Sequence, residues 1–241
     1  MIFYLGAHHA SWLAEVDVPL FVSRRSLYRR RKLPRASTRW ALDSGGFTEL
    51  NHHGHWTVSP QQYASEVHRF QEQIGKMDWA APQDWMCEPS VRQKTGLTVN
   101  QHQELTVTNF IELTTIAPEL PWIPVLQGWT LGEYMDHVEM YVQAGVDLRA
   151  EALVGVGSIC RRQNTIRAGS ILRWLFDEDI NLHGFGFKVE GLRNNKHLLC
   201  SADSMAWSFN ARKNPPLPEC SHKSCSNCLR YALQWKEEHR L

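Results

Sequence analysis

A chain of 241 residues with 43% hydrophobic and 21% charged residues has the balance of a globular protein with a sizeable core, in one large domain or two small ones. The formal net charge of +1 leaves attraction for a polyanion to local clusters. No apolar run approaches the roughly 18 to 20 residues that span a bilayer. The opening MIFYLGAHHASWL lacks the basic start and cleavage site of a signal peptide, so a cytoplasmic chain with no membrane contact is expected.

In chain order, short apolar runs predict strands at Ile2–Leu5, Leu20–Val22, Trp40–Leu42, Met77–Ala81, Trp122–Leu126, Ala152–Val156, Leu182–Phe187 and Leu198–Ser201. Between them lie helical patterns. Ser59-Pro60 forms a cap and first turn ahead of Tyr63, Val67, Phe70 and Ile74. Thr98 to Thr115 is helix-like though rich in β-branched residues, and Thr130 can cap a helix carrying Tyr134, Val138, Tyr141 and Val142. Gln163 to Phe176 places Ile166, Ile171, Leu172 and Leu175 on one side. Strands alternating with helices imply a parallel sheet, and eight of them suggest a compact (β/α)8 TIM barrel over residues 1–213. A doubly wound open sheet is the alternative. The prolines of Asn214-Pro215-Pro216-Leu217-Pro218 mark a hinge to a small segment, 214–241, with a terminal helix around Leu229 to Glu238.

In a barrel, chemistry gathers at the C-terminal ends of the strands. His8 follows the first strand, Asp43 the third and Asp84 the fourth. Gln127 and Gly128 follow the fifth, Gly155 and Gly157 end the sixth, Gly186 and Lys188 the seventh, and Asp203 follows the eighth. Singly, each aspartate fits a helix cap or an Asx-turn, and His8 fits a structural histidine. Jointly, paired carboxylates can divide labour between nucleophile and general acid/base, as at an anomeric carbon. A third carboxylate beside a glutamine and backbone amides suits a flat heterocycle.

The segment 24–39 carries Arg24, Arg25, Arg29, Arg30, Arg31, Lys32, Arg35 and Arg39 without an acid. It is either a solvated loop or a phosphate-contacting cluster. Ten tryptophans could fill the core or line a groove. Cys87, Cys160 and Cys200 are scattered, whereas Cys220, His222, Cys225 and Cys228 fall within nine residues. Three thiolates and an imidazole make a closed tetrahedral set for a structural Zn2+, with His239 able to replace His222.

DSGGF (43–47), Gln83-Asp84 with Cys87-Glu88, VLQG (125–128), VGVGS (154–158), SADSMAWS (201–208) and the cysteine cluster occur in the order seen in tRNA-guanine transglycosylases. The chain most closely resembles their DNA-acting relatives, the 7-deazaguanine transglycosylases (DpdA-like) of phages and bacterial genomic islands. It is shorter than the tRNA enzymes, and its histidine lies inside the cysteine cluster.

The resemblance implies a barrel with a zinc subdomain that exchanges guanine in DNA for a free 7-deazaguanine, such as preQ0 or a derivative, through a covalent enzyme–sugar intermediate. It implies Asp203 as nucleophile and Asp43 as general acid/base, with Phe47 stacking on the base. Asp84 would read the ring N–H and amino edge, and Gln127, Gly128 and the Gly155–Gly157 backbone the carbonyl. Ser44 and Gly45 would lie beside the base, the glycines letting it approach the backbone. Arg24, Arg25, Arg29, Arg30, Arg31 and Lys32 would hold DNA phosphates. Exchange on tRNA, base removal by water, and zinc-stapled nucleic-acid binding without catalysis are the competing readings. The oligomeric state stays open.

Overall fold

A computed structural model describes residues 1–160, 162 and 165–241. The elements, in order, are β1 Ile2–Ala7, α1 Trp12–Glu15, β2 Leu20–Ser23, β3 Trp40–Asp43, α2 Gly46–His53 and α3 Pro60–Ile74. Then follow β4 Met77–Ala80, α4 Pro89–Thr95, α5 Val99–Ile116, β5 Val125–Leu126, α6 Leu131–Gln143 and β6 Val154–Val156. The chain ends with α7 Ile166–Asp177, β7 Leu182–Gly184, α8 Val189–Asn195, β8 Ser201–Ser204, α9 Ala206–Ala211 and α10 Leu229–Glu238.

The sheet order is β4-β3-β2-β1-β8-β7-β6-β5, and all neighbours are parallel. The outer strands of this curled sheet meet at one parallel bridge, Ala80 to Trp122. There Ala80 N–H donates to Pro121 O at 2.9 Å and Ile123 N–H to Ala80 O at 3.2 Å. This is a TIM-barrel-like fold; a doubly wound sheet would not place β1 beside β8. The seam is narrow because Pro121 and Pro124 have no N–H to give, which cuts the expected strand Trp122–Leu126 down to Val125–Leu126.

Helix caps follow the sequence closely. Ser59 accepts from Gln62 N–H at α3, and Thr98 with Gln101 and Thr130 with Glu133 form capping boxes at α5 and α6. Helix α7 begins at Ile166; the expected start, Gln163, lies outside the described residues.

The largest departure is the eighth strand. Leu198 ends a 3-10 turn, and the strand is Ser201–Ser204, three residues later than expected. The apolar pair Leu198 and Leu199 packs in the outer core. The strand itself reads polar because Ser201 and Asp203 are inward and hydrogen-bonded to His183 and Gly186.

Alternation across each strand sorts two cores. Phe3, Leu5, Trp40, Leu42, Val154, Val156 and Ala202 face the helices. Tyr4, Ala41 and Trp79 form the interior cluster, with Phe21 and Phe185 packed on it. Helix α10 returns to the barrel, burying Ala232 and Trp235 in the outer core. Among the described residues, no helix is long and apolar enough to cross a membrane.

Candidate active site

Inward parity carries Asp43 and Asp203 to one place. Asp43 ends β3 two residues after inward Ala41, and Asp203 lies on β8 in register with Tyr4 of β1. Both line a pocket of about 350 Å³ at the C-terminal ends of the strands, with Asp84, Gln127, Phe47 and Gly157 in its wall. His8, Glu88, Ser158 and Gly186 also line it.

Asp43 is raised above the ordinary carboxyl range by burial, with the charge of Asp203 adding. The Ser23 side chain, the Gly45 N–H and the Arg25 charge pull in the opposite direction. Register explains the Ser23 contact, since Ser23 pairs with Asp43 across β2 and β3. A carboxyl biased toward holding its proton beside a second carboxylate is suited to donating it.

Asp203 is fixed from β7 and the turn after it. Gly186 N–H donates to Asp203 Oδ1 at 2.8 Å, and His183 Nε2 lies 3.3 Å from the same oxygen. Gly186 has φ +63, so a side chain there would be strained. His183 is fully buried, its Nδ1 is 2.8 Å from Ser201 Oγ, and its ring stands 4.5 Å from that of Trp79. Burial lowers its pKa; as a neutral ring it donates from Nε2 and accepts the Ser201 hydroxyl at Nδ1. Sequence reasoning passed over His183. The available signal was an inward polar position in LHGFGF, two residues before inward Phe185.

Asp84 is buried beneath the same pocket. Ser44 Oγ donates to its Oδ1 at 3.3 Å, and Gln127 Nε2 donates to its Oδ2 at 2.5 Å. Burial pushes Asp84 up to about 7, with the Asp43 charge contributing in the same direction. Gln127 Oε1 lies 2.6 Å from Ser158 Oγ, which is 2.9 Å from Glu88 Oε2. Glu88 and Ser158 thus join the wall behind Asp84, although neither had an assigned role in the sequence reading.

The glycines have close neighbours where a side chain would stand. The space beside Gly46 is filled by Met86 and Trp56, that beside Gly45 by Arg25, and that beside Gly155 by Phe185. A side chain on Gly157 would collide with the Gln127 amide, and one on Gly128 would meet Tyr134 at 3.0 Å. These residues clear room for neighbouring side chains. Gly45 also turns the chain into α2 at φ +82. Ser44 reaches Asp84, while Phe47, 43% exposed, stands on the rim.

The arginine run divides. Arg24 is 2% exposed, with Nε 2.5 Å from Glu66 Oε2 and NH1 4.0 Å from Glu49. It is a buried structural ion pair, and the expectation that it grips phosphates does not hold. Arg25 pairs with Glu49 at 3.3 Å but is 42% exposed. Arg29, Arg30, Arg31 and Lys32 are exposed. Lys188 occupies the N-cap position of α8.

The ligand atoms of Cys220, His222, Cys225 and Cys228 all lie within 4.8 Å of one another, a set able to hold a metal ion. Leu217 N–H donates to Cys225 Sγ at 3.3 Å, which suits a thiolate ligand. His239 lies instead on the α10 end, its ring 4.8 Å from Trp235. The cluster reaches the pocket through hydrogen bonds: Ser226 O accepts from Ser208 Oγ at 2.7 Å, and Ser208 Oγ is 2.9 Å from His8 Nε2. Burial lowers the His8 pKa, with His9 and Arg212 adding.

A family model described as "DpdA: DeoxyPurine in DNA protein A" matches residues 1–240. Comparison with curated proteins finds no match.

Proposed function

The chain belongs to the DpdA family of 7-deazaguanine-type DNA-modifying transglycosylases, and from that premise we propose that it replaces guanine in DNA with a 7-deazaguanine through a covalent aspartyl–deoxyribose intermediate. The observation that carries this reading is the pair Asp43 and Asp203 on one pocket, with Asp84 and Gln127 bonded together in its wall.

In this reading the target nucleotide leaves its stack, at a cost of a few kcal/mol in a duplex. An Asp203 carboxylate oxygen bonds to C1′ as the C1′–N9 bond breaks, while Asp43 gives its proton to the departing guanine. The entering base returns a proton to Asp43, bonds to C1′ and displaces the Asp203 oxygen, restoring both carboxyls. Asp84 accepts from the ring N–H and amino group, and Phe47 covers the base. Gly186 N–H and His183 hold Asp203 in place by one oxygen, leaving attack to the other. Arg25, Arg29, Arg30, Arg31 and Lys32 hold phosphates beside the mouth.

The same reading divides the chain into a catalytic barrel, 1–213, and a stapled segment, 214–241. The Cys3His set suits Zn2+, which there would be structural because all four positions are filled by protein. The enzyme would act on DNA in the cytoplasm, that of the host if phage-encoded.

The test is incubation of DNA containing labelled guanine with the protein and free preQ0, followed by nucleoside mass spectrometry. The expected result is loss of label matched by gain of the deazanucleoside. Abasic sites without gain would indicate a base-removing enzyme, and unaltered DNA would contradict the reading.

A further inference from the structure

The wall behind Asp84 contains an arithmetic of hydrogen atoms. Ser158 Oγ lies 2.7 Å from Cys87 N, 2.6 Å from Gln127 Oε1 and 2.9 Å from Glu88 Oε2. The Cys87 N–H must donate, which leaves this oxygen one hydrogen and one lone pair for two oxygens, those of Gln127 and Glu88. One partner therefore donates.

If Glu88 donates, it carries a proton; Ser158 then donates to Gln127, and the Gln127 amide donates to an ionised Asp84. If Gln127 donates, its amide is turned over, and its oxygen faces Asp84 Oδ2 at the 2.5 Å separation. Two oxygens at that distance need a hydrogen between them, so Asp84 carries the proton and Ser158 donates to an ionised Glu88. Both arrangements satisfy every group, and each contains one carboxyl proton. With none, a buried acceptor pair faces itself, at a cost comparable to a lost buried hydrogen bond.

We propose that Asp84 and Glu88 share a single proton, whose position is coupled to the orientation of the Gln127 amide and the Ser158 hydroxyl. In the change from one form to the other, the amide makes a half-turn and the Ser158 O–H swings between Gln127 and Glu88. One carboxyl releases a proton as the other takes one up through solvent, and the net charge stays constant.

The consequence for recognition rests on the base-exchange reading above. A base presenting ring N–H and amino donors selects ionised Asp84, and Glu88 then takes the proton, so Glu88 and Ser158 act as positioning residues for specificity. The groups around the pair are Asp43, Tyr63 and Tyr141 on the Asp84 side. On the Glu88 side they are Cys87, Arg92, Glu133, Tyr134 and Arg162. Gln127 and Ser158 bridge the two carboxyls, and the Cys87 thiol feels both charges.

Site-resolved 13C NMR titration of the carboxyl carbons tests this in the free protein. The expected result is that Asp84 and Glu88 each titrate in two steps at the same two pH values, the signature of one shared proton. Ser158→Ala should collapse this to one step per residue, whereas simple charge repulsion would leave the double steps intact. Glu88→Gln should leave Asp84 with a single step and serves if Ser158→Ala, at φ +54, folds poorly. Independent single steps in the wild type, or double steps surviving in Ser158→Ala, would overturn the proposal. Saturation with free guanine should then move the Glu88 carbon to its protonated position and Asp84 to its ionised one. Guanine binding without that movement would overturn the recognition role. Double steps without any guanine binding would uphold the shared proton and sink the base-exchange reading instead.

Discussion

His183 and Asp203 sit side by side inside the barrel, Nε2 to Oδ1 at 3.3 Å, with the histidine fully buried. The ring is clamped by Ser201 at its other nitrogen and by Trp79 and Phe185 against its faces and edges. His183→Phe keeps the bulk and removes the bond to Asp203. We expect base exchange to fall by about 10- to 100-fold, as misplacement of a reacting group does. The loss should lie in kcat with KM nearly unchanged; an effect confined to KM would show that His183 serves binding instead.

Asp43 is assigned the proton and Asp203 the covalent bond, so their variants should differ. Asp43→Asn should retain binding of free guanine while exchange falls by about 100- to 10,000-fold, the usual range for loss of a general acid. Equilibrium dialysis against exchange rate separates the two. Retention of full exchange would remove Asp43 from the chemistry.

Asp84 is raised from 3.8 to about 7 by burial first and by Asp43 second. Because its folded value lies above its ordinary one, its contribution to stability is complete below pH 3.8 and is lost as pH rises through about 7. At about 1.4 kcal/mol per pH unit, that is roughly 2 kcal/mol lost between pH 5 and 7, less if the fold relaxes. Urea unfolding of Asp84→Asn should lack this fall, gaining on the wild type as pH rises. Parallel curves for the two proteins would contradict the assignment.

Arg24 and its neighbours should separate stability from binding. Arg24→Ala takes from the largely buried Glu66 its ion partner, Glu49 keeping Arg25, and should cost about 3 kcal/mol. The exposed triple change of Arg29, Arg30 and Arg31 to Ala should leave unfolding unaltered. It should reduce the slope of log K for duplex DNA against log salt by up to about three. An unchanged slope would return these arginines to a solvated loop.

Removal of metal by a chelator should loosen 206–241 and disturb the Ser226–Ser208–His8 chain. Hydrogen exchange is expected to rise there first, ahead of β1 to β7. Cys225→Ser should reproduce the effect without chelator. Equal protection with and without metal would mean the cluster does not staple the tail.

Seven strands were legible as apolar runs because their outward faces meet helices and their inward residues are aromatic or small. The eighth was shifted because Ser201 and Asp203 face polar partners, which makes a buried strand read as a loop. Asp43 and Asp84 stood out as carboxylates just beyond apolar runs. His183 did not, since a histidine inside a short strand carries no local sign of its partner 20 residues on. The glycines were half legible for a related reason: a cleared space is visible in sequence, but the side chains beside it, Met86, Trp56, Phe185 and Gln127, arrive from elsewhere. Arg24 looked like its neighbours until Glu66, on α3, appeared beside it.

The covalent bond from Asp203 to C1′ is the central claim, and trapping it is the most direct measurement. Protein, duplex DNA and no incoming base, quenched in denaturant, should yield a protein–DNA adduct whose peptide map places deoxyribose on Asp203. The adduct should disappear on adding free guanine and be absent in Asp203→Ala. An adduct that maps to another residue, or that persists in Asp203→Ala, would contradict the account.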